Sequence, residues 1–420
     1  KELNQKIRKL KQHGQQKSPY LFNQLLQAAT QLNKELEQDY PLYQQVKIKQ
    51  PFLRTEKLQQ ALADESSALI NYFLMEESIV FLFVNPDTVI FHRGEWGEDE
   101  QTQLRWFKGF LAGKHDPFKE KNIIRYQQLG HQFYQKLIAP IDTHLSPAQE
   151  LIIIPQDQLH SLAFDALLYK PITNQGTAFN RYPYLIQQQT ITYNFSARTW
   201  LHQQPNNQTF NSPSILAYAF SKNGTPIAEL RSQAKAAIPG TALELKAIDK
   251  AFPKADKTLR FGAEEAKLEH FLKAIEEPYD IFHFALHADS DQSNRLNNII
   301  YFPGNPVDSI YGYELIARQL KGRLAVLASC KTATGTVESG EGLYSLSRAF
   351  LLAGVEGVVS SHWEIDDRST SELIDFFYQQ LKQQKSTPNA LRQAKLEYIK
   401  AQSKFDAHPY YWSGLGYWGE

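Results

Sequence analysis

The chain has 420 residues, of which 42% are hydrophobic and 21% charged, and it contains 25 Phe and 21 Tyr. This composition is typical of a folded globular protein of about two or three domains and excludes a disordered chain. Lys plus Arg and Asp plus Glu both number 45, so the formal net charge is zero. Because a neutral chain creates no overall field that attracts phosphate backbones or anionic lipid, we expect no direct nucleic-acid partner.

The sequence also limits the compartment. No stretch approaches the roughly 20 apolar residues of a membrane-spanning helix, and runs such as 79–84 have the length of a strand. A single cysteine excludes an internal disulfide framework and a multi-thiolate zinc site, and it suits a reducing compartment. We therefore expect a cytoplasmic protein without a membrane span. Since the chain starts at Lys1, we also expect a fragment of something longer.

The first 62 residues are predicted to be helical. Apolar side chains recur at helical spacing from Phe22 to Leu36 in a segment rich in Gln, Lys and Glu. We interpret residues 1–62 as the possible end of a helical repeat region.

Two α/β units are predicted to follow. In the first, 63–205, strands are expected at 68–75, 78–84, 88–93 and 151–154, with a helix at 127–139. A linker rich in Pro, Asn and Ser spans 203–214. In the second unit, 206–420, strands and helices alternate, which indicates βαβ units. The predicted fold class is α/β, with two units whose mainly parallel sheets are covered by helices. The elements expected in the second unit are strands at 215–220, 258–262, 280–287, 298–302, 324–329 and 355–362, and helices at 243–252, 264–275, 313–320, 341–352, 368–382 and 389–401.

Two strands of the second unit end on reactive residues. The strand 280–287 ends at His287, and the strand 324–329 delivers Cys330. Functional groups gather at the carboxyl ends of parallel strands, so neighbouring strands would place the imidazole and the thiol in one crevice. A thiol with an ordinary pKa near 8.5 needs an adjacent base to react at neutral pH. We predict Cys330 as the nucleophile and His287 as its acid/base partner, with backbone N–H groups of Ala288 and Cys330 as an oxyanion site.

Plainer interpretations stand beside this one. A lone buried cysteine is usually an inert small hydrophobe, and a histidine at a strand end is often only hydrogen-bonded. Cys330 follows its strand directly and precedes a Gly-rich loop, which favours the catalytic interpretation. His283 lies mid-strand, and we expect it to be a satisfied core histidine.

A substrate pocket is predicted beyond the strand 355–362. Trp363, Glu364, Asp366 and Asp367 follow it at the sheet edge, and carboxylates there would suit Lys or Arg before the scissile bond. Asp367 has an equally plausible alternative role as the N-cap of the helix at 368.

No cofactor or metal is predicted. The sequence has neither a phosphate-binding nor a dinucleotide-binding glycine pattern. His283 and His287 are four residues apart on a strand, too far for one ion. The aromatic tail, Tyr410 to Trp418, is expected to pack against the core rather than stack on bases.

Several spaced motifs together resemble the CHAT domain family. The segments that carry the resemblance are 152–167, with Ile-Ile-Ile-Pro and Leu-His-Ser-Leu-Ala-Phe; 282–288 around the histidine; 327–335 around Cys330, with Gly340-Glu341-Gly342; Val358-Val359-Ser360-Ser361-His362-Trp363; Ala390-Leu391-Arg392-Gln393-Ala394; and His408-Pro409-Tyr410-Tyr411-Trp412. The resemblance covers roughly residues 68–420. One departure is Ala288, which stands where caspases have glycine.

The resemblance implies a thiol protease similar to caspases and separase, in peptidase clan CD. It implies that His287 and Cys330 form the catalytic dyad, that an inactive caspase-like half (63–205) precedes an active half (206–420), and that tetratricopeptide repeats often lie upstream. It further implies a protein substrate and activation by an upstream region or sensor protein in bacterial defence or regulated cell death. Two alternatives remain open. One is a catalytically silent caspase-like scaffold, and the other is a helical-repeat adaptor.

Overall fold

The computed structural model describes residues 53–173, 178–202, 210–221, 240–290, 298–304, 307–328, 336–338, 342–383 and 385–419. The chain divides into two compact units, 1–57 and 58–420. Most of the predicted N-terminal helical segment and most of the predicted linker lie outside the described residues. The described helices and strands belong to the second unit, except that the first helix begins at Thr55 of the first.

Strands and helices alternate along most of the described chain. The strands are β1 (Ser67–Leu74), β2 (Ser78–Val84), β3 (Val89–Glu95), β4 (Glu150–Ile154), β5 (Thr190–Tyr193), β6 (Ile215–Ala219), β7 (Lys257–Phe261), β8 (Ile281–Ala285), β9 (His287–Ser290), β10 (Asn298–Phe302), β11 (Asp308–Tyr311), β12 (Gly322–Leu327), β13 (Thr336–Glu338), β14 (Gly342–Tyr344), β15 (Val355–Ser361) and β16 (Leu415–Gly419). The α-helices are α1 (Thr55–Asp64), α2 (Glu98–Leu111), α3 (Glu120–Leu137), α4 (Ala197–His202), α5 (Gly240–Ala251), α6 (Gly262–Glu265), α7 (Leu268–Ala274), α8 (Gly312–Ile316), α9 (Leu346–Leu352), α10 (Asp367–Lys382), α11 (Thr387–Ala401) and α12 (Pro409–Trp412).

Eleven strands form one sheet in the order β3-β2-β1-β4-β5-β16-β15-β12-β8-β6-β7. Neighbours run parallel except at β3–β2, β2–β1 and β15–β16. One parallel block contains β1, β4, β5 and β16, and a second block of opposite direction contains β15, β12, β8, β6 and β7. The two blocks meet between β15 and β16. The predicted mixed α/β fold with a large, mainly parallel sheet is confirmed, and strands from both predicted halves share this sheet. The boundary between those halves stays a prediction.

Helices cover both faces of the sheet around β8, which explains its composition. All five residues of β8 and all five of β6 are buried, as expected for strands that are enclosed on both sides. Tyr378 of α10 packs on one face of β8 through His283, while Phe271 of α7 and Phe350 of α9 contact Phe284 on the other. The mainly apolar segment of β8, which lacks alternating polar residues, thus forms a central strand of the sheet.

The structure departs from the expected elements in several places, and the strands β5 and β11 were not expected. Helix α2 was not predicted, because its Gln-rich and Glu-rich surface masks a short apolar stripe. The strand expected at 280–287 ends at Ala285, and β9 begins at His287 in a separate three-stranded sheet, β11-β10-β9. The helix expected at 341–352 begins only at Leu346, and β14 precedes it. The aromatic tail packs, as predicted, but it does so as strand β16.

Helix α11 ties the two blocks together. Lys395 of α11 forms a buried ion pair with Asp165, and the two side chains are 2% and 5% exposed. Arg392 donates from Nε to the Ile186 carbonyl at 2.8 Å and from Nη2 to the Gln187 carbonyl at 3.0 Å. Such pairs are costly to break on one side, because the remaining charge stays buried without a partner. The junction therefore depends on polar contacts that the hydrophobic pattern does not reveal.

A second buried polar network lies between β8 and two covering helices. His283 Nδ1 is 3.0 Å from the Tyr378 hydroxyl, and His283 Nε2 is 3.1 Å from Glu244 Oε2. The contact to Glu244 is too bent for a hydrogen bond. Burial lowers the pKa of His283 to about 3, and burial together with Asp367 raises the pKa of Glu244 well above its usual value. Each shift favours the uncharged form of its group, which makes the burial of the two side chains tolerable.

Within the described residues, we find no helix with the length and apolarity needed to cross a bilayer.

We expect Lys395→Ala to lower the free energy of unfolding by about 3–5 kcal/mol, because Asp165 is left as an unpaired buried charge. The double variant Lys395→Met/Asp165→Leu should recover most of that loss. Urea denaturation measures both. Arg368→Ala serves as the control, since it breaks an exposed i,i+4 pair with Glu372 and should cost about 0.5 kcal/mol or less. Equal losses of unfolding free energy for Lys395→Ala and Arg368→Ala would contradict a stabilising role of the buried Lys395–Asp165 pair.

We expect Glu244→Gln to be as stable as the wild type near pH 4.5 and increasingly more stable above it. The folded-state pKa of Glu244 is raised, so the folded protein holds a proton that the unfolded chain releases, and wild-type stability falls as pH rises above the unfolded pKa. The difference should grow by about 1.4 kcal/mol per pH unit until the folded pKa is reached. Denaturant titrations between pH 4.5 and 8 measure it.

Asp249→Asn on the exposed side of the same helix is the matched control for Glu244→Gln, and its effect should stay within about 1 kcal/mol across this range. If Glu244→Gln were instead destabilised by several kcal/mol at pH 7, Glu244 would have to be ionised and paired with protonated His283.

Candidate active site

Strands β8 and β12 are neighbours and run parallel, with Leu327 opposite Phe284. Leu327 lies three residues before Cys330, and Phe284 lies three residues before His287. Both predicted dyad residues therefore lie three residues after the same pair of neighbouring strand residues. Cys330 itself lies outside the described residues.

His287 sits where the main sheet ends and the small sheet begins. It is the first residue of β9 and pairs with Tyr301 of β10. Its side chain is half-buried, and its ring stands edge-on to Phe220 with centroids 4.5 Å apart. An aromatic neighbour on one side and partial exposure on the other restrict the imidazole while leaving it accessible. Such a position suits a group that exchanges protons with a bound substrate.

Ala288, the predicted oxyanion donor, lies in β9 opposite Ile300 rather than in a loop. In antiparallel ladders, successive residues alternate between positions whose N–H groups point toward and away from the partner strand. The oxyanion role of the Ala288 N–H thus depends on this alternation and stays a prediction. The second predicted donor, the N–H of Cys330, lies outside the described residues.

His283 is separated from the candidate site by its burial. It belongs to the network with Glu244 and Tyr378, and its side chain is fully buried. The expectation that His283 is a satisfied core histidine is met in part: the side chain lies in the core, but only Nδ1 has a hydrogen-bond partner. The two histidines of one segment thus differ in exposure, although they share a sequence context.

The predicted pocket begins one strand further along the sheet. Strand β15 pairs with β12 in parallel, with Ser360 opposite Leu327. Trp363 therefore lies three residues after Ser360, just as Cys330 lies three residues after Leu327. Its side chain is buried, and its indole N–H donates to the Tyr410 carbonyl at 3.4 Å. Glu364, next in the chain, is exposed.

The two aspartates after Glu364 bind backbone groups. Asp366, rather than Asp367, is the N-cap of α10, and its carboxylate accepts from the Ser369 N–H at 2.9 Å. Asp367 accepts from the Gly240 N–H at 2.6 Å, where α5 begins. Burial raises the pKa of Asp367 to about 6 against the opposing effect of the Gly240 hydrogen bond. A Cβ on Gly240 would come within 2.6 Å of the Asp367 carboxylate, so this approach requires glycine.

No metal site is apparent in the part of the chain that the structure describes, where no three His, Cys, Asp or Glu side chains cluster suitably.

One neighbour of the site was not anticipated from the sequence. The 3₁₀ turn Asp157–Ser161, named turn 157–161, contacts β14, which lies in the segment following Cys330. This turn belongs to the first predicted half and includes His160 of the Leu-His-Ser-Leu-Ala-Phe segment. Spacing and periodicity carry no signal for a contact between residues so far apart in sequence.

Comparison with known proteins agrees with this architecture. The structure of the Saccharomyces cerevisiae separase–securin complex aligns with a TM-score of 0.54 and 10% identity, over 86% of this chain and 30% of that one. The chain thus spans about a third of the separase chain that it matches. The Arg-specific cysteine proteinase gingipain R aligns with a TM-score of 0.40 and 11% identity, over 77% of this chain and 74% of that one.

No curated protein matches the sequence. The likeness to separase shows a shared caspase-like fold, and at 10% identity it shows no more than the fold. The family model described as CHAT domain matches residues 127–420, well over half of the chain. The expected resemblance is therefore confirmed, and the chain belongs to the CHAT domain family.

Proposed function

We propose that the protein is a caspase-like cysteine endopeptidase in which Cys330 is the nucleophile and His287 the acid/base. The observation that carries the proposal is the register of β8 and β12. Leu327 pairs with Phe284, and Cys330 and His287 each lie three residues beyond this pair on neighbouring strands. Adjacent strands are about 4.8 Å apart, so side chains at equal offset start within reach of each other. The CHAT family membership supports the same assignment.

The chemistry follows from these two groups. His287 takes the thiol proton of Cys330, and the thiolate attacks the carbonyl carbon of the scissile peptide bond. The resulting oxyanion accepts hydrogen bonds from the backbone N–H groups of Cys330 and Ala288. Protonated His287 then donates its proton to the leaving amine, and the C–N bond breaks to give a thioester. Water, deprotonated by His287, attacks the thioester, which releases a carboxylic acid and restores the thiol.

The substrate pocket in this proposal lies at the end of β15. The buried Trp363 forms one wall, as many residues beyond the Ser360–Leu327 pair as the nucleophile is. Glu364, Asp366 and Asp367 supply negative charge. Each aspartate already accepts one backbone hydrogen bond, but a carboxylate has about four acceptor positions and retains its capacity for a guanidinium or ammonium group. We therefore propose Arg or Lys before the scissile bond.

Regulation and setting are proposed from the family. An upstream helical-repeat region or a sensor protein would hold the peptidase inactive until a signal arrives, in bacterial defence or regulated cell death. Separase, the structural neighbour, is seen in complex with securin, so a protein of this fold does bind a protein partner. A single cysteine suits the reducing cytoplasm.

We expect Cys330→Ala to abolish cleavage and His287→Ala to lower kcat by about 10²–10⁴, the range of general acid–base catalysis. Mapping of new N-termini in a proteome digested by wild type and variants measures both. Iodoacetamide labelling of Cys330 at pH 7 should also slow in His287→Ala, because the thiolate loses its partner. His270→Ala, at an exposed histidine, is the control and should change neither. Cleavage that survives Cys330→Ala would contradict the mechanism, and no cleavage by the wild type would favour a scaffold.

We expect Asp366→Asn to reduce kcat/KM for peptides with Arg or Lys before the cut by about tenfold, the effect of one lost charge contact of about 1.4 kcal/mol. Asn caps helices as well as Asp, so α10 should remain intact. Peptide libraries with Arg, Lys or uncharged residues before the cut measure the change. Asp64→Asn on α1 is the control. Equal cleavage of charged and uncharged libraries by the wild type would end the proposed preference.

A further inference from the structure

Turn 157–161 touches the segment that connects Cys330 to α9. In that segment β13 and β14 pair as an antiparallel hairpin, with Thr336 opposite Tyr344, and β14 contacts the turn. The turn itself follows β4 in the other parallel block of the sheet. The turn therefore brings the first predicted half next to the segment that follows Cys330.

Lys108 of α2 anchors the turn. Its Nζ donates to the Gln158 carbonyl at 2.8 Å and to Ser161 Oγ at 3.0 Å. Immediately before the turn, Gln156 Oε1 accepts from the Leu74 N–H at 2.7 Å, at the end of β1. The turn is thus fixed at both ends by groups from other elements.

The opposite side of the turn faces the second parallel block. The His160 backbone contacts the imidazole of His362, directly after β15; this contact opposes burial and Lys395, which lower the His362 pKa to about 3. Burial lowers the pKa of His160 to about 4, and Arg348 of α9 contributes to the same shift. Arg348 lies four residues beyond the end of β14. His160 is therefore surrounded by groups from elements that follow the nucleophile segment in the chain.

The turn adopts a conformation that it does not favour on its own. Asp157 has φ of +52°, in the left-handed region that costs a non-glycine residue roughly 1 kcal/mol or more. Such a conformation persists only when its surroundings impose it. The hydrogen bonds from Lys108 span the residues immediately after Asp157 and supply that restraint.

We propose that Lys108 is a positioning residue, which holds turn 157–161 against β14 and thereby places the nucleophile segment for reaction. This inference rests on the proposed peptidase function. It assigns the first predicted half a specific task, since the anchor on α2 and the turn both belong to that half. Lys108 acts through the turn and touches no reacting atom.

Lys108 carries its charge in a partly buried site. Burial lowers the pKa of Lys108 to about 8, against the opposing attraction of Asp157. The folded state thus binds fewer protons than the unfolded chain between about pH 8 and 10.5, and stability rises with pH across that window. At neutral pH the charged amine is held against a desolvation cost. Lys108→Met removes that cost but leaves the Gln158 carbonyl and Ser161 Oγ without their donor, so the two effects on global stability oppose each other while the turn loses its anchor.

The test compares Lys108→Met, which removes the donors but keeps the length, with Lys108→Arg, which keeps donors. Lys121→Met, at an exposed lysine of α3, is the matched control. For Lys108→Met we expect kcat to fall by about ten- to hundredfold, the scale of small misplacements of reacting groups, with KM unchanged, under conditions where denaturant titration shows each variant to be fully folded. Lys108→Arg should recover part of kcat. Unchanged kcat in Lys108→Met, or a fall that parallels lost stability, overturns the proposal.

Amide hydrogen exchange keeps the test independent of catalysis. If the wild type cleaves nothing, the proposed function fails, and the contact is judged by exchange at residues 342–344. Faster exchange there in Lys108→Met than in Lys121→Met supports positioning of the segment by Lys108. Equal exchange in the two variants overturns it.

Discussion

The parallel pairing of β8 with β12 is the constraint on which the candidate site depends. With Leu327 opposite Phe284, the residues that follow these strands emerge at one edge of the sheet and at the same height. A shift of register by one residue would move one of the partners along its strand by about 3.3 Å and turn its side chain to the other face. The register is fixed by close packing on both faces, since His283 of β8 contacts Tyr378 on one side and Phe284 contacts Phe350 on the other, and a slip would exchange these side chains. Packing of helices far from the site thus determines where His287 stands.

The fold also depends on the junction of the two parallel blocks at β15 and β16. Because β16 runs antiparallel to β15 and parallel to β5, the last strand of the chain completes a sheet that begins at β1. Helix α11 reinforces this junction through Lys395 and Arg392, which reach groups of the other block. The first half therefore supports the second through shared hydrogen bonds as well as through surface contact. Turn 157–161 extends that support to β14.

Buried titratable groups mark the places where elements are held together rather than the site itself. The strongest shifts fall on groups such as Glu244, His283 and His362, which are enclosed among strands and helices. His287, by contrast, is half-buried beside Phe220. Perturbed pKa values often indicate active sites, but His287 is proposed as the acid/base from its place at the start of β9 and from its partial exposure.

The sequence by itself determined the fold class, most strands and the two residues proposed as the dyad, because apolar runs of strand length that end in reactive residues are local features. It also distinguished His283 from His287 by position within a strand. It could not determine the antiparallel entry of β16, the break between Ala285 and His287, or the cap at Asp366, since each depends on which distant backbone supplies a hydrogen bond. Only the tertiary structure brought Lys108, turn 157–161 and β14 together, because hydrogen bonds and close packing between segments far apart in sequence leave no periodic signal in either segment.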